Sequence, residues 1–518
     1  MNTQDSIKNE LLDINRELHI SPKMADEMGT LSQNDAPITV PPTSLRYLGD
    51  PTFCEHYGVQ YSYMAGAMAN GIASEELVIA LAKQGFLAIF GSAGLSLDRV
   101  KQAIQKIRQA VGSKPFGVNL IHSPNERDLE LALVDFYIAN DVQIVEASAF
   151  LNITESIVKY RLAGIYRDQD GQVRSTNRII AKVSRVELAE KFMSPAPEKL
   201  VHSLLSKGAI SQEQAALAQS LPLSDDVTAE ADSGGHTDNR PALTLVPTLV
   251  ALRDQIQEER QYPTPIRVGA AGGIGTPQSA ASAFAMGAAY IVTGTINQAC
   301  VESGSSDIVR QMLAESGQAD VAMAPAADMF EMGVKVQVLK RGTMFPMRAA
   351  KLYELYRNHK SLDDLPPADR LQLEKNFFKK SVEDEWQSTR SFFLTRDPKQ
   401  VERAERDPKH KMALVFRSYL GQASRWANQG IPDRKVDYQV WCGPAMGAFN
   451  QWTKGTFLAE AKNRKVCTVA LNILYGAAVI LRCQSLKLQG VTLPVGAFNW
   501  QPRPEAELAS FIPKRNLN

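Results

Sequence analysis

A chain of 518 residues is longer than one hydrophobic core usually supports, so a large domain with an accessory region is expected. Its 57 lysines and arginines nearly cancel 56 acidic residues, leaving no overall field that argues for nucleic acid or a membrane surface as partner. Five cysteines (Cys54, Cys300, Cys442, Cys467 and Cys483) form no CxxC pair and no metal-ligand spacing with the seven histidines; no metal site is expected, and reduced thiols in a cytoplasmic protein fit best.

Residues 1–55 hold one amphipathic stretch and then the proline-rich Ile38-Thr-Val-Pro-Pro-Thr43, a leader expected to pack on the outside of the domain after it. They lack a basic region followed by an apolar core, so neither export nor organelle import is expected. From Tyr61 to about Gly294, within an expected barrel domain over 56–345, short apolar runs alternate with helix-like segments, the rhythm of parallel strands joined by crossover helices. Eight runs qualify: 61–64, 86–90, 116–120, 143–146, 178–183, 227–231, 266–270 and 290–293. Ser74 is placed to cap a helix over 75–84, and Thr276 precedes Pro277 at the first position of another. Eight such units close into a (β/α)8 TIM barrel whose site lies at the carboxyl ends of the strands; an open doubly wound sheet is the competing arrangement.

Between the fifth and sixth runs, residues 194–225 form a helical insertion, expected on the strand-top side as a lid. Residues 346–518 are expected to be a mainly helical accessory domain. Within them the apolar run 466–481 contains Asn472 and is shorter than the roughly 20 residues a membrane span needs, so it is expected to be a buried core helix. The clusters Lys379-Lys380 and Lys409-His-Lys411 are solvated helix faces or a docking patch for an acidic partner. Trp441, Trp452 and Gly443-Pro-Ala-Met-Gly447 read as core packing, and Cys300, with no adjacent base, as a buried structural thiol.

Chemistry concentrates at the strand ends. Val268-Gly-Ala-Ala-Gly-Gly-Ile-Gly-Thr-Pro277 closes one strand and opens a helix, and Val292-Thr-Gly-Thr295 closes the next. Glycines there let backbone N–H groups approach a phosphate, at the place where barrels recurrently bind one. Tyr63-Met-Ala-Gly-Ala-Met68 permits close backbone approach to a flat ring and equally suits a plain strand-to-helix turn. Asn119 offers an amide that donates and accepts, either to a ligand edge or as a loop cap. In Glu230-Ala-Asp-Ser-Gly-Gly-His236 the glycines suit a backbone wall and the imidazole can move a proton or stabilise developing negative charge; a solvated loop histidine is the alternative. Lys182, a cation in an apolar run, needs an anionic or electron-rich partner, whether ligand or structural ion pair.

Met64-Ala-Gly66, Phe116-Gly-Val-Asn119, Gly234-Gly-His236, Ala271-Gly-Gly273 and Thr293-Gly-Thr295, in this order, resemble the nitronate monooxygenase and FMN-dependent enoyl reductase superfamily. Three further segments extend the likeness over nearly the whole chain: Val336-Gln-Val-Leu-Lys-Arg-Gly-Thr-Met-Phe-Pro346, Lys351-Leu-Tyr-Glu-Leu-Tyr356 and Trp441-Cys-Gly-Pro-Ala-Met-Gly-Ala-Phe-Asn450 resemble the PfaD-type trans-acting enoyl reductases of polyunsaturated fatty-acid synthases. The resemblance implies FMN as prosthetic group, NADPH as reductant, an enoyl thioester on an acyl carrier protein as substrate, and a homodimer. Carried over by residue, Met64, Ala65, Gly66 and Asn119 fall to the flavin ring, with Gly234 and Gly235 as a wall beside it. Gly272, Gly273, Gly294 and Thr295 fall to its phosphate, Ala271 and Lys182 are further cofactor-binding candidates, and His236 is the catalytic position. The insertion and the C-terminal region are absent from the small barrel members, whose substrate contacts therefore do not transfer. Two other functions stay open: a nitronate monooxygenase using O2, and a non-catalytic docking subunit of a synthase.

Overall fold

The structure, a computed structural model, describes residues 11–20, 38–122, 127–493 and 495–511; much of the leader's amphipathic stretch lies outside them. The chain divides into two compact units. The first holds the chain up to Asp232, then Asp238–Ser303, and the C-terminal part from Ala448; the second holds Ser233–Thr237 and Gly304–Gly447.

In the first unit eight parallel strands close into a barrel in chain order: β1 (Tyr63–Ala65), β2 (Leu87–Phe90), β3 (Gly117–Ile121), β4 (Ile144–Ser148), β5 (Arg178–Val183), β6 (Asp226–Glu230), β7 (Arg267–Ala271) and β8 (Ile291–Thr293). β8 pairs with β1, which excludes the open sheet. Strands such as β2 are apolar throughout because both faces are covered, by barrel interior and by helices. Ser74 caps α1 (Glu75–Lys83) by accepting from the Leu77 N–H. In α2 (Leu97–Val111), Val100, Ala103, Ile104, Ile107 and Val111 recur at helical spacing and turn one buried stripe toward the sheet. Thr276 caps α3 (Pro277–Ala285), with Pro277 in the first turn where its missing N–H costs nothing.

The last residues of the leader do not stay outside. Phe53, Cys54 and Tyr57, on the helix Pro51–Tyr57, join the interior cluster of Met64, Leu87, Ile89, Ile144 and Ile180. There Phe53 stacks on Tyr290 at 4.3 Å, and the Tyr57 hydroxyl donates to Asp226, which also takes a two-pronged ion pair from Arg267 at 2.7 and 2.8 Å. The aromatic pair fills the floor of the barrel and completes the hydrogen bonding of a fully buried carboxylate.

The insertion is not a lid. The crossover helix Val186–Met193 comes first and returns the chain to the amino ends of the strands; Leu223 N–H then bonds Ser194 O at 2.8 Å and Ser224 N–H bonds Phe192 O at 2.9 Å, immediately before β6. Its helices, Glu198–Ser206 and Gln212–Leu217, lie along the outer wall against the helix Glu155–Ala163, tied by Ser203 and Lys207 to Glu155.

The C-terminal 448–518 is likewise cut differently from the expected accessory domain. Helix α4 (Val466–Leu488) is long and apolar enough to span a membrane, yet 94% of its most apolar window is buried in the protein. It packs along α3 of the barrel, so closely at Gly476 that a Cβ there would lie 2.6 Å from Trp500 and 2.7 Å from Pro277. Tyr475 and Arg482 of the same helix donate to leader carbonyls, including Leu12 and Asp13, each at 2.8 Å.

The second unit starts earlier than the expected boundary and contains a sheet as well as helices. β9 (Val321–Pro325) and β10 (Lys335–Leu339) pair antiparallel, and Gly235–His236 adds an edge strand to β10. Helices Phe345–Asn358, Val382–Arg396, Pro398–Arg406 and Pro408–Gln429 bury Phe345, Leu352, Phe393, Phe416 and Tyr419 in one core. The lysine clusters are engaged in this unit: Lys380 pairs with Glu385 at 2.8 Å, Lys409 donates to the carbonyls of Tyr356 and His359, and Lys411 lies over the Trp386 ring.

Candidate active site

At the carboxyl ends of β4, β5 and β6, three charged side chains converge from neighbouring strands. Lys182 pairs with Glu230 at 3.0 Å, both nearly buried. Burial works to discharge the ammonium, but the carboxylates of Glu230 and Glu146 hold Lys182 above its ordinary range. Glu146 is wholly buried; one carboxyl oxygen accepts the Ala67 N–H at 3.0 Å and the other, Oε1, has no partner. Burial raises its pKa, only partly offset by Lys182 and the Ala67 N–H. Two carboxyls thus share one cation. The partner that a buried Lys182 requires is therefore present, but Glu146 and Glu230 were missed as site residues. The same reasoning, a charge at the end of an apolar run, identifies both.

Around this cluster the strand ends lock together. Gly66 N–H bonds Thr293 O at 3.0 Å, and a Cβ on Gly66 would lie 2.9 Å from Val292, so β1 can meet β8 only through glycine. Met64 and Ala65 are buried in the wall. Asn119 is paired with Glu146 in the ladder, and its amide nitrogen donates to Glu146 O at 3.1 Å and Ser148 Oγ at 2.9 Å. Both amide hydrogens are spent on the scaffold, which leaves the side-chain carbonyl as the group with capacity for a ligand.

The glycine bends are neighbours. Ala271 pairs with Val292 across β7 and β8, which brings Gly272-Gly273 beside Gly294. Gly272 (φ +85°) is packed from behind, where a Cβ would lie 2.5 Å from the Ala231 carbonyl carbon; Gly273 (φ +75°) and Gly294 face open space. Gly294 opens the short helix Thr295–Gln298, with its turn held by Tyr63, Thr293 and Asn297. A cradle left open where side chains would stand fits an anionic group bound through backbone amides. Lys182 and the orphaned Glu146 oxygen add ionisable groups at the carboxyl ends of other strands of the same barrel.

His236 belongs to the second unit. Between Asp232 and Asp238 the chain leaves the barrel to pair Gly235 with Gln337 and His236 with Val336. Gly234 is glycine for packing: its Cβ would lie 2.9 Å from Gly443 N, and the Gly443 turn presses back on Ser233 and Gly234. Gly235 (φ +84°) faces open space. The imidazole Nε2 lies 3.1 Å from Asp328.

Residues 52–378 match the family model for nitronate monooxygenase, and 359–438 match that for the inserted helical domain of [acyl-carrier-protein] S-malonyltransferase. The chain belongs to the nitronate monooxygenase family. The crystal structure of the enoyl reductase domain of MlnA, from the macrolactin biosynthesis cluster of Bacillus amyloliquefaciens, is 41% identical to this chain. It superposes with a TM-score of 0.81 over 86% of this chain and all of that one, which puts the chain with the PfaD-type members its motifs resemble. A subunit of the polyunsaturated fatty acid synthase of Thraustochytrium sp. is 49% identical over 93% of this chain but 33% of that protein. The polyketide biosynthesis protein PksE of Bacillus subtilis is 46% identical over 85% of this chain and 57% of its own length. The chain therefore spans one third to just over half the length of these two relatives.

Proposed function

We propose that the protein is an FMN-dependent enoyl reductase that reduces trans-2-enoyl thioesters on an acyl carrier protein with NADPH, in polyunsaturated fatty-acid or polyketide biosynthesis. The observation that carries this reading is the 41% identity to the MlnA enoyl reductase domain, along the entire length of that domain. FMN, when bound, supplies the exchange of hydride between NADPH and the β-carbon of the enoyl group. The chain supplies the rest. Backbone at Ala271, Gly272, Gly273, Gly294 and Thr295 grips the phosphate. Met64, Ala65, Gly66 and the Asn119 carbonyl bound the ring, with Gly234 and Gly235 as a further wall, and Lys182 sets positive charge against electron-rich atoms. His236 delivers a proton to the α-carbon or polarises the thioester carbonyl as negative charge develops there. On this reading the protein is cytoplasmic, a homodimer, and partnered by carrier domains of a synthase.

The deciding experiment is the visible spectrum of the purified protein: flavin bands that bleach under anaerobic NADPH and return with crotonyl thioester are expected. A colourless protein that takes up no flavin overturns the proposal in favour of a docking subunit. The family model itself favours a second reading, nitronate oxidation by O2, and turnover with a nitroalkane but not with the thioester selects it.

A further inference from the structure

We propose that Asp328 is the positioning residue of His236: its carboxylate orients the imidazole and holds the ring's proton, so that the two act as one acid. This deepens the functional reading above and rests on it for the proton's destination. The pairing is built from three sides of the second unit. His236 is fixed by its backbone on the edge of the three-stranded sheet, opposite Val336. The preceding Gly234 is wedged against Gly443, with no room for a Cβ. Asp328 comes from the loop after β9, 92 residues along the chain, and both of its oxygens lie within reach of Nε2, at 3.2 and 3.1 Å.

Asp328 is itself held, because Oδ1 also accepts the Met329 N–H at 3.1 Å. Burial pushes its carboxyl up, but the facing imidazole and the backbone N–H groups outweigh this and bring it below its ordinary value. Asp328 is then anionic at neutral pH, and by reciprocity an anion at this distance strengthens the hold of the ring on its proton. The side chains are 35% and 42% exposed, so solvent screens the interaction and the effect is moderate. Nearby charged groups on the packed elements include Lys335, exposed beside Val336, and Glu331, which pairs with Arg417 at 3.4 Å and lies 3.8 Å from the His410 ring, while Arg417 also donates to the Ala327 carbonyl at 2.9 Å.

An acid that must give up a proton at neutral pH loses rate as pH rises through its own pKa. Asp328→Asn keeps the shape and removes the charge. The test is an NMR titration of the His236 ring in the full-length FMN-loaded protein, assigned by the signal missing in His236→Gln. In Asp328→Asn the His236 midpoint should fall by about one pH unit, and Asp328→Glu should restore part of it. An unchanged midpoint in a folded, flavin-replete Asn variant overturns the proposal. Enoyl-thioester reduction followed against pH separates this proposal from the reading beneath it. If the alkaline limb moves down with the NMR midpoint, both stand. If the midpoint falls and the limb stays, the Asp328–His236 coupling stands and the role of His236 as donor does not.

Discussion

Glu146 shows how one buried carboxyl can shape a site. Its Oε1 has no partner, and its neighbours Lys182 and Glu230 already satisfy each other. A carboxyl whose folded pKa lies above its unfolded one binds its proton more tightly in the native state. Its contribution is therefore most favourable below about pH 4, the unfolded value, and declines as pH rises toward the folded pKa. Glu146→Gln removes that dependence. Thermal unfolding of the two proteins at acid and neutral pH should show the Gln variant gaining on wild type as pH increases; a pH-independent difference would contradict a raised Glu146. Lys182→Met is the converse case, stranding two carboxyls at once, and is expected to cost about 3–5 kcal/mol in denaturant unfolding at pH 7. A loss below about 1 kcal/mol would mean that Glu230 finds water or another donor instead.

At the scale of elements, two glycines in one cradle have different reasons to be glycine. Gly272 has a positive φ and backbone directly behind it, so Gly272→Ala meets both strain and collision and should destabilise the fold by about 3 kcal/mol, read as a lower Tm. Gly294 has φ −128° and open space, so Gly294→Ala should leave the Tm almost untouched. What it should lose is flavin, read as a lower flavin-to-protein absorbance ratio, because the added methyl stands where the phosphate is expected. Equal Tm losses with equal flavin content would remove the distinction. All eight barrel strands were legible because each is a short run of apolar residues closed by a turn, and the helix starts at Ser74 and Thr276 were legible because capping is a local event. β9 and β10 were not read as a sheet: Val336-Gln-Val-Leu stood out as a motif, while antiparallel pairing depends on a partner that sequence does not display.

For the whole molecule, the position of the C-terminal segment matters most. Helix α4 belongs to the same compact unit as the barrel although about 170 residues separate it from β8. A chain truncated at Gly447 would expose the flank of α3 and strip the described leader of its contacts with Tyr475 and Arg482. Such a chain should aggregate or lose cooperative unfolding in calorimetry. A soluble, cooperatively melting, flavin-binding truncation would mean that α4 is dispensable to the barrel. The sequence boundary at 345/346 missed this because a change of composition marks where a helical region begins, not which core each of its helices joins.

Periodicity, capping residues and glycine positions were local properties, and they determined by themselves that this chain builds eight strand-helix units with glycine bends at the last two. Which side the insertion occupies, that Phe53 and Tyr57 plug the floor, that Glu146 and Glu230 flank Lys182, and that His236 faces Asp328 were decided only by tertiary structure. Each depends on contacts between residues distant in sequence, and the energy of such a contact lies in burial and charge pairing that no local pattern encodes.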